Sequence, residues 1–199
     1  MSKKTILVTG CSSGLGVHIA NKFEEEGHNV FRHQGRKHFD ISNIRQIKEL
    51  ALKCKEFKVD VLINNAAIGC PSKPFSKYNF EEINYMIDVN LRAPVLLSFL
   101  LKDGLTNIIN INSMVGLEVK KNRTLYSATK WGLRGFSNSL ESEQDLIKVL
   151  SVYPTNIKTN PEMTNAMEID YVVQSIYDAF LEGKSNLVLD GRPKSKEKK

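Results

Sequence analysis

Cysteine is scarce in this chain: Cys11, Cys54 and Cys70 are odd in number, widely spaced and include no CxxC pair. That excludes a disulfide framework and a thiolate metal knuckle, and it suits reduced thiols in a cytosol-like compartment. The four histidines show no ligand spacing, so no metal is expected. Long hydrophobic runs are missing too. None approaches the ~18 residues of a membrane span, and MSKK leads into a short strand-like run rather than a signal-peptide core. A cytoplasmic protein without a membrane partner is expected. Charge of one sign is concentrated rather than general. Of the net +6, residues 192–199 (RPKSKEKK) carry five positive charges and one negative, which leaves residues 1–191 at +2. A nearly neutral body argues against a nucleic-acid partner, and the terminal run reads as a solvated tail, with a docking segment as the alternative. No repeat or linker interrupts residues 1–191, which are expected to form one domain, with 192–199 as a flexible appendage.

What is present is an alternation of strands and helices. KKTILVTG is an apolar run ending in glycine; from Leu15 the apolar spacing becomes helical, through Ile19 and Phe23, with Gly27 as a stop. Extended runs follow at 29–34, 59–63, 107–112 and 149–153. Helical patterns lie at 80–101, from about 125, and in DYVVQSIYDAFLEG before a last run, NLVLDG. Strands that are apolar almost continuously belong to a parallel sheet covered on both faces, hence an α/β fold. One connection is lean: only GRK separates the second run from HFDIS. A βαβ crossover needs a dozen or more residues, so either the third strand is a fragment or its crossover helix is missing.

TGCSSGLG, residues 9–16, stands where the first strand gives way to a helix. A glycine turn there lets backbone N–H groups and the helix N-terminus approach a pyrophosphate, so Gly10, Gly14 and Gly16 point to dinucleotide binding; a plain tight turn is the alternative. About 20 positions on, an acid would hold a ribose 2′-hydroxyl and an arginine a 2′-phosphate. Arg36 occupies that position beside Lys37. NADP(H) is therefore preferred to NAD(H), unless the basic loop is simply solvated. Further on, TLYSATKWGL places Tyr126 and Lys130 one helical turn apart. Alone the pair is weak evidence, because both residues are common.

Taken together, TGCSSGLG, FDIS (39–42), NNAA (64–67), DVN ending at Asn90, INS ending at Ser113, YSATK (126–130) and YPTNIKT (153–159) resemble the short-chain dehydrogenase/reductase family in its conventional short form. The resemblance spans nearly the whole chain. It implies a single-domain, doubly wound Rossmann-type sheet of about seven strands, with a shortened connection between strands 2 and 3. The implied reaction is hydride exchange between a nicotinamide and a carbonyl or alcohol carbon. Asn90, Ser113, Tyr126 and Lys130 match the catalytic tetrad. Cofactor contacts would come from the loop residues Gly10, Ser12, Ser13, Gly14, Leu15 and Gly16, from Arg36, and from Asp40 and Ile41 at the adenine. Asn65, Ala66 and Ala67 would line the cofactor, Tyr126 and Lys130 would meet its ribose, and Pro154, Ile157 and Thr159 would lie near the carboxamide. Homodimers or homotetramers are implied as well, with the Asn90 and Tyr126 helices paired across a dimer.

Ala67 and Thr155 stand where the family has glycines, and PEMTNAMEI is a brief lid, which suggests an open site, a bulky substrate or a lid borrowed from a partner. A helix over 80–101 should kink at Pro94, with Asn90 on the inward face of Ile83, Ile87, Leu91 and Pro94. There the family role of Asn90 is to order a water that relays protons to Lys130. Carbonyl reduction needs a proton for the developing alkoxide, and a tyrosine ionising near 10 needs help to supply it. Lys130 is the charge that would help, with Tyr126 as proton donor and Ser113 bonding the substrate oxygen. The expected function is NADPH-dependent carbonyl reduction. The alternative is a catalytically silent NADP(H)-binding regulator of the same fold.

Overall fold

The computed structural model describes residues 2–69, 72–143, 147–159 and 162–193. Cys70 and residues 194–199 of the basic tail lie outside the described residues. Fifteen elements run in the order β1 (Thr5–Thr9), α1 (Leu15–Glu25), β2 (Asn29–His33), α2 (Ile44–Glu56), β3 (Val61–Asn64), a 3₁₀ turn (Phe75–Lys77), α3 (Phe80–Ile87), a π-helical turn (Asp88–Arg92), α4 (Ala93–Leu101), β4 (Asn107–Ile111), a 3₁₀ turn (Met114–Gly116), α5 (Thr124–Glu143), β5 (Lys148–Pro154), α6 (Ile169–Leu181) and β6 (Asn186–Leu189). The strands form one parallel sheet ordered β2-β1-β3-β4-β5-β6.

Period-2 alternation explains why the strands read as continuous apolar runs. Ile6, Val8, Val61, Ile63, Ile109, Ile111, Leu150 and Val152 face α1 and α6 in one core. Leu7, Leu62, Ile108 and Val149 face the opposite core, built with α2 and α4. Both cores are needed, because an all-parallel sheet has no solvated face. On the α5 side a buried polar chain crosses the sheet. Asn64 Nδ2 donates to Asn110 Oδ1 (2.8 Å), Asn110 Nδ2 to Ser137 Oγ (2.8 Å), and Ser137 Oγ to Leu133 O (2.7 Å). These bonds hold α5, the helix of Tyr126 and Lys130, in register over β3 and β4.

Among the described residues the sheet has six strands rather than about seven, and the lean connection accounts for the difference. Neither a third strand nor its crossover helix forms over 34–42. Instead a loop carries Phe39 and Ile41 into the core (7% and 5% exposed) and passes directly to α2, whose N-cap Asn43 accepts from Arg45 N and Gln46 N. With no helix to bury, a further strand would be an edge with one bare face. The 80–101 helix is likewise broken by the π-helical turn rather than by a simple proline kink. Pro94 lies in the first turn of α4, where its missing N–H costs little. The wider turn shifts the helix faces: Ile87 is 39% exposed, while Met86, Val89, Asn90 and Ala93 are buried. Asn90 therefore points inward as expected, but in different company.

Candidate active site

The carboxyl ends of β1, β3, β4 and β5 converge on one edge, and the chain reverses direction of winding at β1. Such a switch point is where open α/β sheets bind ligands. Two cavities lie along that edge. The first, about 640 Å³, is lined by Gly10, Ser12, Ser13 and Leu15 from the loop after β1, by Arg36, Lys37, Asp40 and Ile41 from the loop after β2, and by Asn65, Ala66 and Ala67 after β3. The second, about 260 Å³, is lined by Ser113 and Tyr126 together with Glu118, Lys120, Arg123 and Arg192. Thr155 and Asn156 line this second cavity, while Pro154, Ile157 and Thr159 line neither.

The glycine loop is held by contacts only glycine permits. A Cβ on Gly10, whose φ is +75°, would stand 2.8 Å from Ala66 Cα; one on Gly16 would overlap Gly10 O and approach Asn65 Nδ2 at 2.5 Å. Asn65 braces the turn from β3, its Nδ2 donating to Thr9 O (2.9 Å) and Gly10 O (3.2 Å). Thr9 Oγ1 accepts from Asn65 N and Ala66 N, both at 3.0 Å. Gly16→Ala is expected to cost roughly 1–3 kcal/mol by overpacking and to abolish any stabilisation by added nucleotide. Thermal melts with and without nucleotide check this; an unchanged melt would show that the loop has room.

Composition and spacing gave no sign of His33. It ends β2 at 1% exposure, its Nδ1 accepting from Gly10 N (3.2 Å), which leaves Nε2 as the donor to Phe39 O (2.7 Å). Burial pulls its pKa below the ordinary histidine value. The neutral ring thereby ties the glycine loop to the loop that replaces the third strand. The signal available was its place, at the carboxyl end of an apolar strand beside the switch point. Asp40 folds the same loop. Its Oδ1 accepts from Ser42 N (3.0 Å) and Ser42 Oγ (2.7 Å), and Arg36 Nε lies 3.3 Å from its Oδ2. Burial opposes ionisation of Asp40, but the Ser42 bonds and the Arg36 charge outweigh it and hold the pKa low. Arg36 also lies over the Tyr85 ring at 5.1 Å and is 71% exposed, while no ion pair engages Lys37 among the described residues. This loop walls one side of the first cavity.

Lys130, one helical turn beyond Tyr126, is 2% exposed and lines neither cavity. Its Nζ donates to Ile111 O (2.9 Å) and lies 5.6 Å from the centre of the Tyr126 ring. Burial without a nearby anion lowers its pKa to about 8. Ser113 caps the 3₁₀ turn after β4, Oγ accepting from Val115 N. Asn112 braces both partners: its Nδ2 donates to Lys130 O (3.1 Å) and its Oδ1 accepts from Ser113 N (2.9 Å). Asn90 is engaged by backbone, Oδ1 accepting from Ile68 N (2.7 Å) and Nδ2 donating to Ile68 O (3.0 Å), with Thr129 Oγ1 at 3.4 Å. Its amide thus clamps the strand-to-helix loop beyond Ala67 against the base of α5. Beyond β5, Ile157 bridges to Met167 in parallel, with Met167 N donating to Asn156 O (2.9 Å) and Lys158 N to Met167 O (2.9 Å).

The family described as short chain dehydrogenase matches residues 4–170. An uncharacterized oxidoreductase of Staphylococcus epidermidis is 30% identical over 186 residues, covering 80% of this chain and 80% of that one. The bulky-bulky ketone specific alcohol dehydrogenase from Comamonas testosteroni is 25% identical with a TM-score of 0.84, over 93% of this chain and 85% of that one. A metagenomic short-chain oxidoreductase in complex with NADP is 25% identical with a TM-score of 0.76, over 97% and 98%. A glycine loop at the switch point and a Tyr–Lys pair on the helix over β4 fit these matches, and the chain belongs to the short chain dehydrogenase family of oxidoreductases.

Proposed function

We propose that this oxidoreductase reduces a carbonyl compound to an alcohol with NADPH. The observation that carries the reading is the buried Lys130 ammonium 5.6 Å from the Tyr126 ring, on a helix whose Tyr126 shares a cavity with Ser113. The first cavity fits a dinucleotide: about 640 Å³, glycine-floored, and bordered by Arg36 and Lys37. The loop residues Gly10 to Gly16 would take the pyrophosphate, Arg36 and Lys37 a 2′-phosphate, Asp40 and Ile41 the adenine, and Asn65 to Ala67 the inner wall. Lys130 has ammonium hydrogens beyond the one given to Ile111 O and would hold the ribose.

When bound, NADPH would supply the hydride that the carbonyl carbon needs, itself becoming oxidised to NADP⁺. Tyr126 gives its hydroxyl proton to the carbonyl oxygen as the C=O π bond breaks, so hydride and proton together make the alcohol. Ser113 Oγ donates a hydrogen bond to the same oxygen. Lys130, still cationic at pH 7 with a pKa of about 8, favours the phenolate left behind. At an effective dielectric of ~20, a cation ~5–6 Å from the phenolate charge contributes on the order of 3 kcal/mol. Asn90 is a positioning residue in this reading, holding the loop before the nicotinamide end.

The same reading includes homodimers or homotetramers, supported by large apolar side chains that α3, α4 and α5 each leave in solvent: Phe80, Phe99 and Trp131. It also includes a cytoplasmic location, supported by the free buried thiols Cys11 and Cys54; among the described residues no helix is long and apolar enough to cross a membrane. Thermal shift with NADPH and NADH tests the cofactor. At a hundred times Kd, NADPH is expected to add about 2.7 kcal/mol, NADH less, and Arg36→Ala should narrow the gap. No stabilisation by either nucleotide would overturn the reading. A panel of ketones and aldehydes with NADPH then tests turnover.

A further inference from the structure

The second cavity is small and positively charged. At about 260 Å³ it lies below the usual range for drug-sized ligands, roughly 300–1,000 Å³, which argues against the bulky substrate suggested by the brief lid. Three of its lining residues are cations, Lys120, Arg123 and Arg192, against one carboxylate, Glu118. That carboxylate is already taken. Arg192 Nη1 meets Glu118 Oε1 at 2.6 Å, while its Nε and Nη2 meet Asp190 at 2.8 and 2.7 Å. The segment carrying Arg192 is fixed by Gly191 N donating to Thr155 Oγ1 at 2.9 Å. Among the described residues no carboxylate pairs with Lys120 or Arg123. Arg123 is half-buried and stands just before α5, one turn ahead of Tyr126. Two cations without a carboxylate partner among the described residues, both lining one cavity, concentrate anions.

Resting on the reductase reading, we infer that the substrate carries a carboxylate close to its reacting carbonyl: a small oxo acid, reduced to the hydroxy acid. Arg123 receives the carboxylate through two parallel N–H bonds, which the planar guanidinium offers and an ammonium does not. Lys120 adds a second charge at the rim. The Arg192–Glu118 pair closes the far wall and leaves Glu118 unable to repel the incoming anion.

The probes are 2-oxopentanoate and its methyl ester, which differ by one charge and one methyl group. Charged hydrogen bonds contribute ~1.5–3 kcal/mol, so kcat/KM with NADPH should favour the acid by at least about tenfold, mainly through KM, and the preference should shrink as salt is added. Arg123→Ala should collapse the ratio to within about threefold, and Arg123→Lys should recover only part of it; both keep the wild-type melting temperature. Binding of the acid to the NADP⁺-loaded protein, read by thermal shift, follows the site without turnover. If acid and ester turn over alike and Arg123→Ala leaves the ratio unchanged, the anion site fails and the reductase reading stands. If no carbonyl turns over while the acid still binds in an Arg123-dependent way, the reductase reading fails and the anion site stands. Preference for dihydroxyacetone phosphate over 2-oxopentanoate would overturn the carboxylate assignment.

Discussion

Tyr126→Phe is expected to lower kcat for carbonyl reduction by roughly 10²–10⁴-fold, the range of general acid–base catalysis, while leaving the NADPH thermal shift in place. The substitution deletes one oxygen at the mouth of a cavity shared with Ser113 and keeps the ring. Packing around it should hold, because phenylalanine keeps the ring that packs against the cluster of Met86 and Leu125. What is lost is the proton that must reach the substrate oxygen as negative charge develops there. A drop in kcat with nucleotide binding retained would separate proton donation from cofactor binding. Wild-type turnover in the variant would mean that the proton comes from elsewhere, and turnover absent from both proteins would favour a nucleotide-binding regulator.

Lys130→Met is expected to stabilise the fold while costing roughly 10²-fold in rate. Lys130 is buried and its pKa is lowered from 10.5 to about 8, so carrying the charge at pH 7 costs the native state about 3 kcal/mol. Methionine has a similar unbranched shape and no charge. It forfeits the bond to Ile111 O, worth ~1–2 kcal/mol, which leaves a net gain of about 1–2 kcal/mol. At about 2–4 °C per kcal/mol for a chain of this size, the melting temperature should rise by several degrees. The pH dependence has a definite sign. Between about pH 8 and 10.5 the native state has released the Lys130 proton and the unfolded chain still binds it, so wild-type stability climbs with pH relative to the variant. Below pH 8 the penalty is present in full. Melts of both proteins from pH 7 to 10.5 should therefore converge and then cross, because near pH 10.5 the desolvation penalty is gone and the lost Ile111 bond alone separates them; parallel curves, or a variant less stable at pH 7, would show that Lys130 is not held against its solvation preference. The rate loss follows from removing on the order of 3 kcal/mol of phenolate stabilisation.

Much of this fold was legible because a doubly covered parallel sheet leaves strands with no polar face. Runs such as TILVT and NIINI could be placed from apolarity alone. The Tyr126–Lys130 spacing was legible for a similar reason, since one helical turn puts both side chains on one face. The 34–42 segment was legible only as a choice between two losses, and both occurred. Composition could not show that Phe39 and Ile41 would fill the core without a strand. The π-helical turn at Asp88–Arg92 escaped as well, because an extra residue in a turn leaves the apolar spacing almost unchanged while rotating Ile87 outward.

The amino-acid sequence by itself determined the layered α/β architecture, the glycine loop at its first turn, and the order in which Asn90, Ser113, Tyr126 and Lys130 follow. These are local or periodic properties, set by side-chain size, backbone freedom and helical pitch. Tertiary structure alone decided what surrounds them. His33 clasps the glycine loop to Phe39 across six positions, and Arg192 meets Glu118 across 74. The charge of the second cavity depends on which cations that pairing leaves free. Spacing along a chain carries no record of such meetings, because they follow from how strands and helices pack once each has formed.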